Sequence, residues 1–460
     1  MTLLEIFDAT ILNKYNTSAP RYTSYPTALS FEDNIAEQSY FSAIRINETK
    51  SKVQDLSLYI HIPFCHSLCY YCACNKIVTR HVHKANEYVE YLIKEISSRA
   101  VHFKQYRVSQ IHFGGGTPSF LNAEQLHKII STIRALFDHS TSIDMSIEID
   151  PRRIHERYIE ELKFIGFNRI SLGVQDINQD VQEKINRVQD TAFIESLVDQ
   201  ARMHQFKSVN LDLIYGLPLQ DIEGFERTLD KVIEINPDRI SLFSYAHLPS
   251  QFAAQRKIKD EWLPKADEKL ALFELAVRKL CDAGYVFIGM DHFAKPDDEL
   301  CQSLNKGELH RNFQGYTNKQ YPALLGLGVS SISSINNLYI QNPKELKEYY
   351  KRIDQARPLG VKGLVMSQDD TIRREVINRL MCNFQLEKSV IEAQFNIEFD
   401  KYFAWELKEM ARFVGDDLLL LQDKRIQVKE KGRLVIRHIC MTFDAHLSSN
   451  AHQNRYSKVI

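Results

Sequence analysis

One short segment concentrates the residues that can do chemistry. The stretch FCHSLCYYCACNK, residues 64–76, places Cys65, Cys69, Cys72 and Cys74 close together, whereas the other four of the eight cysteines are scattered. The first three have the spacing C-x3-C-x2-C and follow a predicted strand. Three thiolates on such a loop can bind different irons of one [4Fe-4S] cluster. The fourth iron would then have no protein ligand and would be open to a substrate.

Other metal sites fit this spacing less well. Structural zinc usually takes four ligands in two separated pairs, and no second pair follows downstream. A plant-type ferredoxin has wider spacing and a distant fourth cysteine. Cys74 as a fourth ligand would close the cluster and leave no open iron. We therefore interpret Cys74 as a nearby residue that does not bind iron.

Further polar or glycine-rich positions follow the next predicted strands. GGGTP, residues 114–118, can let the backbone approach a ligand closely, because glycine carries no side chain. Glu148 can accept hydrogen bonds from a ribose or an ammonium group, although a salt bridge at the rim would explain it equally well. Three histidines near strand ends are more often structural, and we assign them no role: His61, His66 and His292.

The elements around these residues alternate between strands and helices. Helices are predicted over 86–101 and 122–137, the second capped by Asn122. This alternation predicts an α/β fold, a partial (β/α)6 TIM-like barrel, although a flat doubly wound sheet remains an alternative. Active sites of barrels lie at the carboxyl ends of the strands, where the residues above are predicted. The six predicted strands are 56–62, 109–113, 145–150, 169–175, 208–216 and 239–246.

Length and composition set the wider organisation. The chain has 460 residues, of which 44% are hydrophobic, and 58 basic against 59 acidic residues give a net charge of −1. We predict an N-terminal segment that covers the active site (1–50), a barrel domain (51–340) and a mainly helical, winged-helix-like C-terminal domain (341–460). The balanced charge argues against binding of nucleic acid.

The sequence also indicates the cellular compartment of the protein. Its first residues lack the pattern of a secretory signal, and no apolar run has the length of a membrane span. Clustered thiols in a chain of this size are typical of a reducing compartment. We therefore expect a cytoplasmic protein with no membrane association, and a monomer.

The cysteine loop, with Tyr71 before its last ligand, resembles that of radical S-adenosylmethionine enzymes. Further segments, spread over nearly the whole chain, make this resemblance more specific. With them, the chain resembles the oxygen-independent coproporphyrinogen III oxidases. A related heme-chaperone branch generally lacks both Cys74 and the N-terminal motif. The segments are PRYTSYPTA (20–28), HIPFCHSLCYYCACNKIVTR (61–80), HFGGGTPSFL (112–121), GVQD (173–176), NLDLIYGLP (210–218) and HRNFQGYT (310–317).

This resemblance implies roles for individual residues. Cys65, Cys69 and Cys72 would bind the cluster, and Cys74 would be needed for activity without binding iron. The family is thought to accommodate two S-adenosylmethionine molecules. The residues implied in contact with them are Tyr59, Tyr71, Gly115, Gly116, Thr117, Glu148, Gln175, Arg187, Asp212, Ala246 and Ile332.

The resemblance also implies a reaction. Two propionate side chains of coproporphyrinogen III would be oxidatively decarboxylated to vinyl groups, which requires an electron donor for the cluster and an electron acceptor. Because the substrate carries four propionates, local cations are needed, and Arg21 and Arg311 are the candidates. The alternatives are a heme-binding, chaperone-like protein without oxidase activity, and a radical methyltransferase or heme-degrading enzyme.

Overall fold

The computed structural model describes residues 7–35, 37–46 and 53–447. Six parallel strands, here named β1 to β6, form the middle of a thirteen-stranded sheet in this part of the chain. They confirm the six predicted strands. In chain order they are β1 Gln54–Ile62, β2 Tyr106–Gly115, β3 Asp138–Ile149, β4 Arg169–Gln175, β5 Ser208–Tyr215 and β6 Arg239–Ser244.

The order of these strands decides between the two predicted architectures. β1 to β6 are neighbours in chain order, whereas a doubly wound sheet reverses direction at a switch point. The winding is therefore that of a partial barrel, as predicted, and the flat alternative is wrong. Ala323–Leu327 adds a parallel strand beside β1.

Helices follow the strands because each has an apolar face to bury. In His83–Ala100, Tyr88, Leu92 and Ile96 are fully buried. Ala123–Leu136 begins at Asn122, whose side chain accepts from the backbone N–H of Gln125 in a capping box, as predicted. The further helices between β3 and the strand that follows β6 are Tyr158–Ile165, Gln179–Lys184, Thr191–Met203, Ile222–Ile235 and Ala266–Asp282.

The remaining elements are mostly short. They extend the sheet on both sides of the barrel strands or build the C-terminal region. The other strands are Glu32–Asp33, Phe64–Cys65, Ile77–Val78, Val286–Gly289, His292–Ala294, His310–Asn312, Gly315–Thr317, Ile332–Ile335, Leu338–Gln341, Lys362–Val365, Gln385–Glu387, Leu419–Leu421 and Arg425–Val428. The other helices are Ala9–Lys14, Glu37–Arg45, Glu299–Lys306, Leu346–Asp354, Gln368–Asn383, Lys388–Phe395, Phe399–Tyr402, Ala404–Glu409, Ala411–Gly415, Glu430–Arg433 and Ile436–Met441.

The C-terminal region is mainly helical and carries the predicted hairpin, Leu419–Leu421 with Arg425–Val428. Lys362–Val365 from this region pairs with Leu338–Gln341 of the large sheet. The buried residues of both regions belong to one continuous hydrophobic cluster. The domain boundaries remain predictions, and residues 1–6, 36, 47–52 and 448–460 lie outside the described part of the chain.

The N-terminal segment lies against the C-terminal region. The prolines of residues 13–27 predict an irregular segment, and residues 19–27 contain no helix or strand, whereas Asn13 and Lys14 belong to the helix Ala9–Lys14. Arg437 donates to the carbonyl oxygens of Ala19 and Pro20, and the Tyr22 hydroxyl donates to Asp444 at 2.9 Å. Coverage of the active site by this segment remains a prediction. Within the described ranges, no helix is long and apolar enough to span a membrane.

Candidate active site

A cavity of about 430 Å³ lies inside the barrel and reaches the carboxyl ends of its strands; we call it the barrel cavity. All four cysteines of the predicted loop line this cavity. The structure therefore brings the thiols and most of the other predicted site residues together. Those others are Tyr71, Gly115, Gly116, Thr117, Glu148, Gln175, Arg187 and Asp212.

Backbone hydrogen bonds hold the cysteine loop at both ends. Phe64–Cys65 pairs with Ile77–Val78, so the chain returns beside its own starting point. The backbone N–H of Tyr70 also donates to the carbonyl oxygen of Ile185 at 3.0 Å. The loop is thereby attached to the segment after the helix Gln179–Lys184 as well as to itself.

Cationic and hydroxyl donors surround two of the thiols. The Thr117 hydroxyl donates to Cys65 Sγ at 3.2 Å, while burial raises the pKa of Cys65 to about 11. Arg152 Nη2 and Arg187 Nη1 donate to Cys69 Sγ at 3.4 Å and 3.5 Å. Two guanidinium groups therefore place positive charge beside the sulfur of this predicted iron ligand.

Asp150 fixes the two arginines. Its carboxylate accepts from Arg152 Nη2 at 2.6 Å and from Arg187 Nη1 at 3.3 Å. The charges of both arginines, with hydrogen bonds from Arg152, hold the pKa of Asp150 well below its usual range despite burial. Arg187 also donates to the carbonyl oxygen of Gly173 at 2.7 Å, and a side chain at Gly173 would collide with its guanidinium.

Cys72 and Cys74 interact with each other. The backbone N–H of Cys74 lies 3.5 Å from Cys72 Sγ, and their thiols are also hydrogen-bonded. This hydrogen bond lowers the pKa of Cys72 and raises that of Cys74. The opposite directions of the two shifts make Cys74 the donor and Cys72 the acceptor of this hydrogen bond. Hydrogen bonds to cluster sulfurs are one way in which proteins set a cluster's potential.

These donors fit a [4Fe-4S] cluster. Three thiols on one loop face a common cavity, and cations beside them compensate the charge of thiolates. In the described residues, no group of three or more His, Cys, Asp or Glu side chains is placed to hold a single metal ion. The irons of a cubane are separate atoms, so its ligands need not converge on one point.

Glu148 lies at the end of β3, on another wall of the barrel cavity. Its Oε2 accepts from the backbone N–H of Gly115 at 3.3 Å, and its Oε1 lies 3.3 Å from His112 Nε2. The other ring nitrogen of His112 lies 2.6 Å from the Ser146 hydroxyl, and the Tyr59 ring stacks on the imidazole. The carboxylate is thus held in a fixed orientation at the cavity.

Asp212 on β5 and Gln175 on β4 also line this wall of the cavity. Asp212 accepts from the Ser171 hydroxyl at 2.9 Å and from Asn210 Nδ2 at 2.8 Å. Burial, with the nearby charge of Glu148, raises the pKa of Asp212 to about 6. Gln175 has φ of 67°, a conformation that costs energy for a residue with a side chain and is concentrated at functional sites.

Three predicted residues do not line the barrel cavity. The Tyr59 ring stacks on His112, and His112 in turn contacts Glu148, which lines the cavity. Ala246 is connected to the cysteine loop by Gln255, whose Nε2 donates to the carbonyl oxygens of Tyr71 and Ala246. Ile332 packs in a separate cluster with Phe313. The roles of all these residues remain predictions.

The sequence analysis missed several residues that position the site. Arg152 follows Asp150 by two residues, and this DPRR segment could have suggested an ion pair at a strand end. His112 lies two residues before the glycine motif on β2 and therefore points to the same face as Gly114, by the period of two in a strand. No local pattern indicates Gln255, because its partners come from distant segments.

Comparisons with known proteins agree with this arrangement. Residues 59–232 match the Radical SAM superfamily, and residues 366–435 match the HemN C-terminal domain. Two curated relatives are the oxygen-independent coproporphyrinogen III oxidases of Salmonella typhimurium and Pseudomonas aeruginosa. They are 49% and 44% identical, each over 99% of this chain and over 98% and 99% of their own length.

A solved structure extends the agreement to the fold. Coproporphyrinogen III oxidase (HemN) from Escherichia coli, described as a radical SAM enzyme, is 48% identical, with a TM-score of 0.91 over 96% of this chain and 99% of that chain. These relatives do not favour the chaperone-like alternative. Radical SAM proteins use a [4Fe-4S] cluster and S-adenosylmethionine, and the three-thiol loop fits that chemistry. By sequence over its whole length and by fold, the chain belongs to the oxygen-independent coproporphyrinogen III oxidase family.

Proposed function

We propose that this protein converts coproporphyrinogen III to protoporphyrinogen IX without oxygen, in heme biosynthesis. Two propionate side chains each become a vinyl group and release one carbon dioxide. Each conversion removes a hydrogen atom, one electron and carbon dioxide from the substrate. The full-length likeness to named oxidases supports the substrate.

One observation carries the proposal: three cluster-type thiols, Cys74 and the carboxylates of Glu148 and Asp212 line the same cavity. When bound there, the cluster and S-adenosylmethionine would supply radical chemistry, namely the removal of a hydrogen atom from the propionate β-carbon. The chain's own residues bind and orient. Thiolates of Cys65, Cys69 and Cys72 hold the cluster, while barrel walls keep water from the reacting carbon.

The carboxylates and backbone of the barrel cavity orient S-adenosylmethionine. Its ammonium and sulfonium groups are cationic, so Glu148 and Asp212 offer charges of the opposite sign. Gly115 and Gly116 let the backbone approach the molecule without a side chain in the way. Arg187 holds Cys69 and Asp150 in place, and its Nε is a buried donor without a partner among the described residues. We assign that donor to the bound molecule.

The proposal includes further partners. The barrel cavity and its surroundings accommodate two S-adenosylmethionine molecules, and Ile332 and Ala246 contact them. A one-electron donor reduces the cluster, and a separate acceptor takes the electron that the substrate loses. The protein acts as a monomer in the cytoplasm, where a reducing environment keeps its eight cysteines as thiols.

An anaerobic assay tests this function. The protein is reconstituted with iron and sulfide and given coproporphyrinogen III, S-adenosylmethionine, a low-potential reductant and an electron acceptor. We expect protoporphyrinogen IX, followed as porphyrin by chromatography, with one 5'-deoxyadenosine per vinyl group. Cleavage of S-adenosylmethionine with unchanged porphyrin would keep the radical chemistry and overturn the substrate.

A further inference from the structure

A second cavity of about 630 Å³ adjoins the barrel cavity; we call it the hairpin cavity. It lies on the other side of the hairpin formed by His310–Asn312 and Gly315–Thr317, and Thr317 lines both cavities. Residues 22–25 of the N-terminal segment and the helix Gln368–Asn383 complete its walls. The hairpin cavity has no part in the function described above.

Arg311 lines the hairpin cavity, is hydrogen-bonded to Tyr316, and has no carboxylate partner among the described residues. The residue is 9% exposed, and its Nε and Nη1 make no hydrogen bond within the described part of the chain. Among the described residues, no carboxylate forms an ion pair with Arg311. Glu375 lines the same cavity but is paired with Arg379 at 2.8 Å. Burying a charge without a partner is costly, so such groups are usually paired or meet a ligand.

The other predicted cation, Arg21, has a partner. Its guanidinium forms an ion pair with Asp291. The two arginines are joined by a row of rings, since Arg21 lies over Phe243, His292 contacts both Phe243 and Tyr316, and Arg311 lies over Tyr316 at 4.7 Å. Of the two, Arg311 is therefore the one that remains available to an anion.

The pKa of His292 reflects its burial and the charges around it. Burial and then the positive charges of Arg311, Arg21 and Arg239 lower its pKa well below the usual range. His292 is therefore neutral, and its Nδ1 is a further buried atom without a partner among the described residues. Arg21 and Arg239 are paired with Asp291 and Asp298, so among these three cations Arg311 alone lacks a carboxylate partner in the described part of the chain.

We propose that Arg311 is a carboxylate receptor in the hairpin cavity and binds a propionate of the substrate that is not decarboxylated. This rests on the proposed function. A guanidinium binds a carboxylate through two parallel hydrogen bonds, for which Nε and one Nη are a suitable pair of donors. The hairpin then places one edge of the macrocycle beside Arg311 while another edge reaches the barrel cavity.

The chemistry decides which propionate it binds. A reacting propionate loses its negative charge as carbon dioxide leaves. A strong ion pair to that group would stabilise the starting state more than the transition state and slow the step. Binding energy from a remote, unreactive group has no such cost and positions the reacting carbon. Arg311 is thus a positioning and specificity residue.

The test measures binding apart from turnover. Coproporphyrin III, the stable oxidised analogue, is titrated by fluorescence into the reconstituted full chain and into Arg311→Gln. We expect the dissociation constant to rise about ten- to a hundredfold, the range for hydrogen bonds to charged groups. Arg311→Lys should recover part of the affinity. In turnover, KM should rise by a similar factor with kcat changed less than about threefold.

Two controls separate a carboxylate receptor from a structural role. The tetramethyl ester of coproporphyrin III lacks carboxylates, so it should bind wild type and Arg311→Gln equally. Lys319→Gln changes a cation of the same cavity that is already paired with Asp55, and it should change the dissociation constant less than about twofold.

The outcomes are distinct. Unchanged binding of coproporphyrin III by Arg311→Gln, an equal loss for the ester, or a fall in kcat at constant KM would each overturn the proposal. If wild type forms no protoporphyrinogen IX but Arg311→Gln still loses only the tetra-acid, the carboxylate receptor stands and the proposed reaction falls.

Discussion

The two walls of the barrel cavity differ in the sign of their charge. Around the cysteine loop, Arg152 and Arg187 bring positive charge to the thiols. Across the cavity, Glu148 and Asp212 bring negative charge. The first wall suits an anionic cluster, and the second suits a cationic sulfonium compound. A protein with a net charge of −1 thus meets two oppositely charged ligands in one cavity through local placement.

The walls also differ in how their charges are held. Asp150 accepts from both arginines and keeps them beside Cys69. On the acidic wall, Glu148 and Asp212 have no arginine or lysine partner among the described residues, and neutral donors hold them instead. An acidic wall without its own cations remains free to attract a cation. This comparison leads to four predictions.

The largest effect is expected from removing a ligand on the thiol wall. Cys69→Ser should abolish cluster binding, because a serine hydroxyl replaces the thiol of a predicted iron ligand that accepts from two arginines. Iron and sulfide content and the visible absorption of the cluster measure this. Cys281→Ser changes a thiol outside the loop and should keep full iron content. Retention of a complete cluster in Cys69→Ser would refute the ligand set.

A change two positions beyond the last predicted ligand should separate iron binding from catalysis. Cys74→Ser should keep the cluster but reduce decarboxylation about a hundredfold or more, the range for loss of a positioned proton donor. The thiol that donates to Cys72 would be replaced by a shorter hydroxyl. Iron content and product formation are measured on the same sample. Loss of iron would show that Cys74 is a ligand.

The buried ion pairs of the thiol wall should stabilise the fold. Arg187→Met leaves Asp150 with one partner and should lower the free energy of unfolding by about 3 kcal/mol, as when a buried pair is broken. Urea unfolding of the apoprotein measures this. Arg157→Met breaks an exposed pair with Glu160 and should leave the free energy of unfolding nearly unchanged. Equal stability of both variants would contradict the buried role.

The smallest effect concerns the pH dependence of the acidic wall. Because the pKa of Asp212 is raised to about 6, folding favours its protonated form, and the stability that this contributes is lost as the pH rises through about 6. Cationic S-adenosylmethionine favours the ionised form. Its affinity in wild type should therefore rise about tenfold between pH 5 and 7.

Asp212→Asn is the matched variant, since an amide of the same shape does not titrate. Calorimetric titrations at several pH values should show a nearly flat profile for it. A profile as steep as that of wild type would assign the titration to another group, and a flat wild-type profile would contradict the raised pKa.

Much of the fold was predictable because its signals are local. Each barrel strand is a short apolar run, and Asn122 with Gln125 forms a capping box within four residues. The prolines of residues 20–26 likewise indicated an irregular segment. Strand order was not local information, and the flat sheet remained an alternative until pairing in chain order excluded it.

By itself, the sequence predicted the ligand set. Three cysteines within eight residues must share a loop, so their spacing and their position after a strand indicate a cluster. The common location of the glycine motif and the acidic residues at strand ends could also be predicted, because parallel strands bring their carboxyl ends to one edge.

Only the tertiary structure decided which charges are paired. Arg21 and Arg311 are equivalent in the sequence, yet Asp291, 270 residues away, pairs with Arg21, while Arg311 lines a cavity and has no carboxylate partner in the part of the chain that the structure describes. Gln255 joins Tyr71 and Ala246 across 184 and 9 residues. Electrostatic and hydrogen-bond energies depend on distances in space, and folding sets those distances between segments that no local pattern connects.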